Sequence, residues 1–463
     1  MSRIDNHQMG FAEYDLYLDG ITLSPILKTM SNFLDRDPVL AGMVRRNLES
    51  GVRHPRRGRK GLSAEPILRA AVLMFFYNLT FRELCERIAE SPLLRIFTRI
   101  RYDHVPKHDA FNRAIRKITP ETLRAIHERV LVIADENGII NPDKVRADCT
   151  ATETNIHFPT DAALLCDSAR VLGRLVQRLR REHHVAADGV VNHTRSAKSR
   201  AFEIAKMSHA KKDDEEKAKY LELLIIVEET IRDAEIVNGM ALRQIERFCP
   251  KERKKVEKIC ECIRYFIVLA KKVVEQTDRR IINNEKVPAS EKIFSIFETH
   301  TDIIMRGKSR KPVEFGHKIM ITECEGGMVS DYRVLKGNPS DSGLVEGIIE
   351  RHKTMFGGAP FTLACDSGFY SEENIKFCRK EGVWDECIPA RGRLSKSRRD
   401  YERRPEFRRG RRFRAGSEGR ISVLIRGRGM GRCAFRGEAG FERFIGLAVL
   451  VNNLIVIANK LNN

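Results

Sequence analysis

The stretch Phe361-Thr362-Leu363-Ala364-Cys365-Asp366-Ser367-Gly368-Phe369-Tyr370 decides how the rest of the chain is read. Its apolar run, Phe361 to Cys365, has the length of a buried strand, so Asp366 is expected at the strand's C-terminal edge, where α/β sheets present their ligands. Gly368 lets the chain turn sharply just beyond it. A second segment, Lys144-Val145-Arg146-Ala147-Asp148-Cys149-Thr150, delivers another carboxylate in the same way. Alternation places Asp148, Thr150 and Thr152 on one face and Cys149, Ala151 and Glu153 on the other. Asp148 is therefore the ligand candidate, with Thr150 as its support and Glu153 at a sheet edge or the surface.

Outward from these strands the pattern is mixed. Gly316 to Thr322 and Met328 to Leu335 flank Glu325-Gly326-Gly327 and read as a hairpin. A helix at about 341 to 356 leads into the Asp366 strand, and a helix near Glu373 to Lys380 leads to a short strand, Glu386 to Pro389. The expected catalytic unit is thus an α/β mixed sheet spanning 141–161 and 286–463. Residues 1–140 read as all-helical: Ser63 and Thr80 are N-cap candidates, and Ile67, Ala70, Ala71, Met74 and Phe75 follow helical spacing. Such short helices suit a helix-turn-helix-like DNA module. Residues 162–285 are rich in Lys, Glu, Leu and Ile. Val256, Ile259, Ile263, Phe266, Ala270 and Val273 alternate steps of three and four, the seam of a coiled coil or helical hairpin, and Asp161 is expected to cap the first helix of the block. This block reads as an insertion.

The 463 residues carry 83 Lys and Arg against 63 Asp and Glu, a net charge of +20. That excess excludes an ordinary metabolic enzyme and implies a polyanion, nucleic acid in preference to a membrane because the basic residues flank no apolar anchor. The most apolar stretch, Phe444 to Ile457, is short for a membrane span, is broken by Asn452 and Asn453, and reads as a buried helix. Met1 to His7 lacks the apolar core of a signal peptide, and the eleven scattered cysteines read as reduced thiols; a cytoplasmic, nucleoid-associated protein is expected.

Two strand-borne aspartates in a strongly basic chain suggest a site for two Mg²⁺ ions, with Mn²⁺ as substitute, acting on phosphodiesters. A third carboxylate is expected on a helix after the sheet. Glu418, Glu438 and Glu442 are the candidates. Glu418 is favoured because Arg414 precedes it by one helical turn and could hold a phosphate beside the metals. Two basic stretches are candidate phosphate contacts: Arg56, Arg57, Arg59 and Lys60 in the string from Arg53, and Arg408, Arg409, Arg411, Arg412, Arg414 and Arg426, with Tyr401, Phe407 and Phe413 interleaved for stacking.

Over residues 60 to 463 the chain resembles the DDE transposases of bacterial insertion sequences, most closely the group labelled ISNCY. The resemblance rests on Leu62 to Arg69, Asp148-Cys149-Thr150 with Ile156 to Asp161, Lys311 to Lys318, Arg333 to Pro339, Asp366 to Tyr370, and Arg414 to Glu418 with Gly437 to Phe444. It implies an RNase H-like catalytic domain, an N-terminal region that binds terminal repeats, a helical insertion between the first and second strands, and a DDE triad of Asp148, Asp366 and Glu418. In the related signature Tyr-x2-Arg-x3-Glu-x6-Lys, Arg411 occupies the tyrosine place and Ile425 the lysine place, with Arg426 next to it. The implied activity is metal-dependent cleavage at element ends followed by strand transfer into target DNA, by a homodimer or larger assembly on DNA. A DNA-binding regulator without catalysis and a nuclease that only hydrolyses are the alternatives.

Overall fold

Strand β1 (Asn141–Glu153) carries Val145 and Ala147 on one face and Arg146, Asp148, Thr150 and Thr152 on the other, so each side meets a different layer. In a computed structural model of the chain, residues 2–4, 22–52, 59–100, 105–186, 189–208, 213–305 and 313–462 are described. Two compact units result, one of residues 1–155 with 304–463 and one of residues 156–303.

The first unit is built around a mixed sheet. Its other strands are β2 (Asp302–Met305), β3 (Val313–Glu325), β4 (Val329–Leu335), β5 (Thr362–Ala364) and β6 (Asp385–Cys387), in the order β2-β3-β1-β5-β6 with β4 also paired to β3. The β1–β3 and β3–β4 pairs are antiparallel; β1–β5 and β5–β6 are parallel. The expected hairpin is present, and its turn uses Gly326 and Gly327 at φ of +106° and +92°, a region that other residues enter only with strain. The Asp366 strand is shorter than its apolar run. It starts at Thr362, and Phe361 is half-exposed, stacked on Trp384 with ring centroids 6.3 Å apart.

On one sheet face, Val145, Ala147, Met320 and Leu363 pack under α-helices over Val345–Phe356 and Glu372–Lys380. The opposite face, through Ile319, Ile321, Val329 and Tyr332, shares a core with the N-terminal helices, among them Pro25–Arg36, Ala64–Phe76 and Pro120–Glu136, and with the final helix, Glu438–Asn462. By length and composition the final helix could cross a membrane, but 72% of its most apolar window is buried inside the protein. Asn452 and Asn453, which interrupt its apolar run, are both buried. Asn453 accepts from the Val329 backbone N–H at 2.9 Å and donates to the Val329 carbonyl at 2.8 Å, and so replaces a missing strand neighbour for β4. Thr80 caps the helix Phe81–Glu90 through a reciprocal pair with Glu83, as its sequence suggests; Ser63 precedes Ala64–Phe76 without a side-chain cap bond.

The second unit is the helical block. Helices over Asp161–His183, Thr194–Ser208, Asp213–Arg243 and Pro250–Thr277 enclose a core that includes Val256, Ile259, Ile263, Ala270 and Val273; Phe266 is partly buried against it. The cap of its first helix is Thr160, which accepts from the Ala163 N–H at 3.1 Å. Asp161, expected in that role, instead accepts from Gln276 at 2.9 Å and pairs with Arg280 at 2.5 Å, because one residue inside the helix its carboxylate faces the neighbouring helix.

Candidate functional site

The register of the parallel β1–β5 pair matches Lys144 with Thr362, Val145 with Leu363 and Arg146 with Ala364. Carried two residues further, the same offset sets Asp148 across from Asp366. Asp148 is not at the end of its own strand, which runs on to Glu153; the edge is created by β5, which stops at Ala364. Past that point Asp366 caps a short turn, its Oδ1 accepting from the Gly368 N–H at 2.6 Å. A Cβ at position 368 would meet that oxygen at 2.8 Å, so the turn needs glycine for the close approach.

The third layer is the helix Pro405–Gly427, which lies against the polar face of β1. Phe407, Gly410, Ser417 and Leu424 are its buried positions, at steps of three, seven and seven, with Arg414 at the helical step between Gly410 and Ser417. Two glycines set its depth. A Cβ at Gly410 would lie 2.1 Å from Cys387 Sγ, and one at Gly416 would lie 2.1 Å from Arg146 Nη1. The helix therefore sits close enough for Arg146 to donate to the Phe413 carbonyl at 2.6 Å and for its guanidinium to cover the Phe413 ring at 4.8 Å. Glu323 of β3, almost fully buried, accepts from Arg146 at 2.8 Å and from Arg420 at 3.0 Å.

At this contact Arg414 gathers the three expected acids. Its Nη2 lies 3.2 Å from Asp148 Oδ2 and 3.9 Å from Asp366 Oδ2, and its Nη1 lies 3.6 Å from Glu418 Oε1. Ser417 Oγ donates to the same Asp148 oxygen at 3.0 Å, and the Cys149 N–H donates to Asp148 Oδ1 at 2.8 Å. Burial raises the Asp148 carboxyl above its ordinary pKa and Asp366 adds to the rise, while Arg414, Ser417 and the Cys149 N–H pull the other way. The net direction is upward, set by burial. Asp148 is mostly buried, Asp366 is about one-third exposed and Glu418 is 75% exposed on the solvent side of the helix.

Carboxylate oxygens are the hard donors that Mg²⁺ and Mn²⁺ take. Asp148, Asp366 and Glu418 supply them around a point where a cationic group already sits, so the donor chemistry fits a divalent ion. Among the described residues, no three His, Cys, Asp or Glu side chains are grouped as a ready-made metal cluster. The competing glutamates are elsewhere. Glu438 pairs with Lys336 at 2.8 Å, and Glu442 lines a small cavity with Glu121, Arg124 and Tyr332.

Of the expected phosphate contacts, Arg408, Arg409, Arg411, Arg412 and Arg426 are exposed along the same helix, with Arg409 bound to Glu406 at 2.9 Å. Arg414 is half-buried and committed to the acids. Arg56 and Arg57 lie outside the described residues; Arg59 and Lys60 begin a short strand, Arg59–Gly61, paired in parallel with Ser2–Ile4. Thr150 is buried, and on the same face Thr152 donates to the Met430 carbonyl at 2.8 Å, tying β1 to the loop after the helix. Sequence reasoning passed over Arg146, Ser417, Glu323, Gly410 and Gly416, and read Arg420, which pairs with Glu323 at 3.0 Å, as one of the phosphate-facing arginines. The alternation that selected Asp148 also selects Arg146, and the three-four spacing from Arg414 also selects Gly410 and Ser417.

Residues 19–117 match the family model described as Transposase domain (DUF772). No curated protein and no solved structure matches the chain. The match supports a transposase family and a transposition-related function, with DNA as the partner.

Proposed function

With a transposase family as the premise, we propose that this chain is a DDE-type DNA transposase whose sheet is RNase H-like and whose catalytic carboxylates are Asp148, Asp366 and Glu418. The observation that carries the proposal is the convergence of these three acids, 218 and 52 residues apart along the chain, on the single guanidinium of Arg414. Asp148, Asp366 and Glu418 would hold two divalent cations, Mg²⁺ or Mn²⁺, which supply Lewis-acid activation of the attacking oxygen and charge stabilisation of the leaving one.

The remaining roles belong to the chain's own groups. Ser417 and the Cys149 N–H fix the Asp148 carboxylate, and the glycine contacts at 410 and 416 hold the helix at the depth that brings Glu418 beside it. Arg414 neutralises the acids and is placed to meet a phosphate oxygen. Arg408, Arg409, Arg411, Arg412 and Arg426 track the DNA backbone. In the first reaction a water oxygen bonds to phosphorus as the P–O3′ bond breaks, freeing a 3′-hydroxyl at the element end. In the second that hydroxyl oxygen bonds to a target phosphorus, and the target's own 3′ oxygen leaves. Joining two ends calls for a dimer or larger assembly on DNA, working in the cytoplasm.

The test is a strand-transfer assay with the full chain, Mg²⁺ or Mn²⁺, and a DNA fragment carrying the gene with its flanks. A joined product supports the proposal. Cleavage without joining identifies a nuclease, and metal-independent binding without cleavage identifies a regulator.

A further inference from the structure

Strand β6 borders a cleft of about 770 Å³ that the reaction above does not use. This is within the range of about 300–1,000 Å³ typical of small-molecule sites. Its walls come from the helix Glu372–Lys380, the strand β6 and the short helix Lys396–Glu402. Four cations, Lys376, Arg379, Arg398 and Arg404, face into it against two carboxylates, Glu372 and Glu386. Glu386 is buried and paired with Arg379 at 2.5 Å and the Tyr401 hydroxyl at 2.5 Å, and Arg398 pairs with Glu402 at 3.0 Å, which leaves Lys376 and Arg404 against Glu372 and the cleft cationic on balance. Rings alternate with these charges. Arg398 covers Tyr370 at 5.1 Å and Tyr401 at 5.0 Å, and Arg404 covers Tyr401 at 5.0 Å.

Trp384, the chain's single tryptophan, lines the cleft and is 75% exposed, with the half-exposed Phe361 stacked against it at an interplanar angle of 15°. A flat, backed, solvent-facing indole beside several cations is the chemistry that holds an unpaired base by its face and its phosphate by charge. Tyr370, on the cleft wall, is four residues from Asp366 in the chain, and Arg404 directly precedes the arginine-bearing helix.

We propose that this cleft receives an unpaired nucleotide of the DNA, its base stacked on Trp384 and its phosphate met by Lys376 and Arg404. The inference rests on the DNA-processing reading above. Because the chain has one tryptophan, its emission reports this site alone. The full chain is titrated with a single-stranded 12-mer, an abasic 12-mer and a duplex of the same length, while anisotropy of a labelled oligonucleotide records binding separately. The expected result is quenching of the emission by the base-bearing single strand and not by the abasic one. Trp384→Leu is expected to weaken single-strand binding about tenfold, with Trp384→Phe restoring most of it. Binding by anisotropy with unchanged emission, or equal quenching by the abasic strand, overturns the cleft assignment and leaves the transposase reading intact. Absence of binding to any of the DNAs sinks both.

Discussion

Gly410→Ala tests how the site is assembled. The new methyl would lie 2.1 Å from Cys387 Sγ and 2.6 Å from Cys387 Cβ, against the ~3.5–4.0 Å of an unstrained carbon contact. Cys387 is buried on β6 and cannot swing away, so the helix Pro405–Gly427 has to retreat from the sheet by roughly 1 Å or more. Overpacking of this kind costs about 1–3 kcal/mol, and the alanine returns up to about 1 kcal/mol of helix propensity, leaving a net loss of up to about 2 kcal/mol. Arg414 is one turn beyond Gly410 and moves with it, and a displacement of about 1 Å at reacting groups costs on the order of 100-fold in rate. Urea unfolding followed by Trp384 emission is the assay, since that tryptophan adjoins β6 and reports the first unit alone. Cys387→Ala removes the nearer clash and Cys387→Gly removes both, so the double variants should show favourable coupling with Gly410→Ala that is larger for glycine. No coupling with either Cys387 variant would refute the close helix–sheet contact.

Three further outcomes follow from the same contacts. Asp148→Asn removes a carboxylate whose pKa is raised on folding. Its ionised form opposes folding above that pKa, so the variant should be more stable at neutral pH, with the advantage closing as pH falls through the raised value, and it should be inactive. His127 is buried, its Nε2 2.9 Å from the Val329 carbonyl, and burial lowers its pKa to about 4. The imidazole is neutral in the fold while the unfolded chain takes up a proton below about 6.5, so roughly 3 kcal/mol of stability should be lost as pH falls from about 6.5 to about 4, and His127→Gln should flatten that part of the profile. Asn453→Ala leaves the Val329 N–H without its side-chain partner, while the Val329 carbonyl keeps His127, and should cost about 1–3 kcal/mol in urea unfolding, the cost of one unsatisfied buried group.

The parts of the fold legible in the sequence are those written in local periodicity. The hairpin at Gly326-Gly327, the Thr80 cap and the seam from Val256 to Val273 each follow from residues close in the chain. The place of Asp366 just past its strand was also legible, since a polar residue closing an apolar run needs no distant information, whereas Asp148, read at a strand edge, lies within a strand that runs on to Glu153. What local pattern cannot carry is pairing. That β5 stops where β1 continues, and so opens the edge at Asp148, depends on the lengths of two strands far apart in sequence. The half-exposure of Phe361 has the same origin: its apolar character suggested strand, but its partner is Trp384, itself at the surface. Gly410 and Gly416 look like helix weakeners within a basic run, and only the sheet beneath them explains their presence. Asp161 was misplaced by one residue, a difference that capping geometry resolves and composition does not.

The most direct test of the proposed site is metal-dependent cleavage by Asp148→Ala, Asp366→Ala and Glu418→Ala in parallel, with DNA binding measured on the same preparations. The account predicts that each variant binds DNA as the wild-type chain does and cuts none of it in Mg²⁺ or Mn²⁺. Normal cleavage by any one of the three would contradict it.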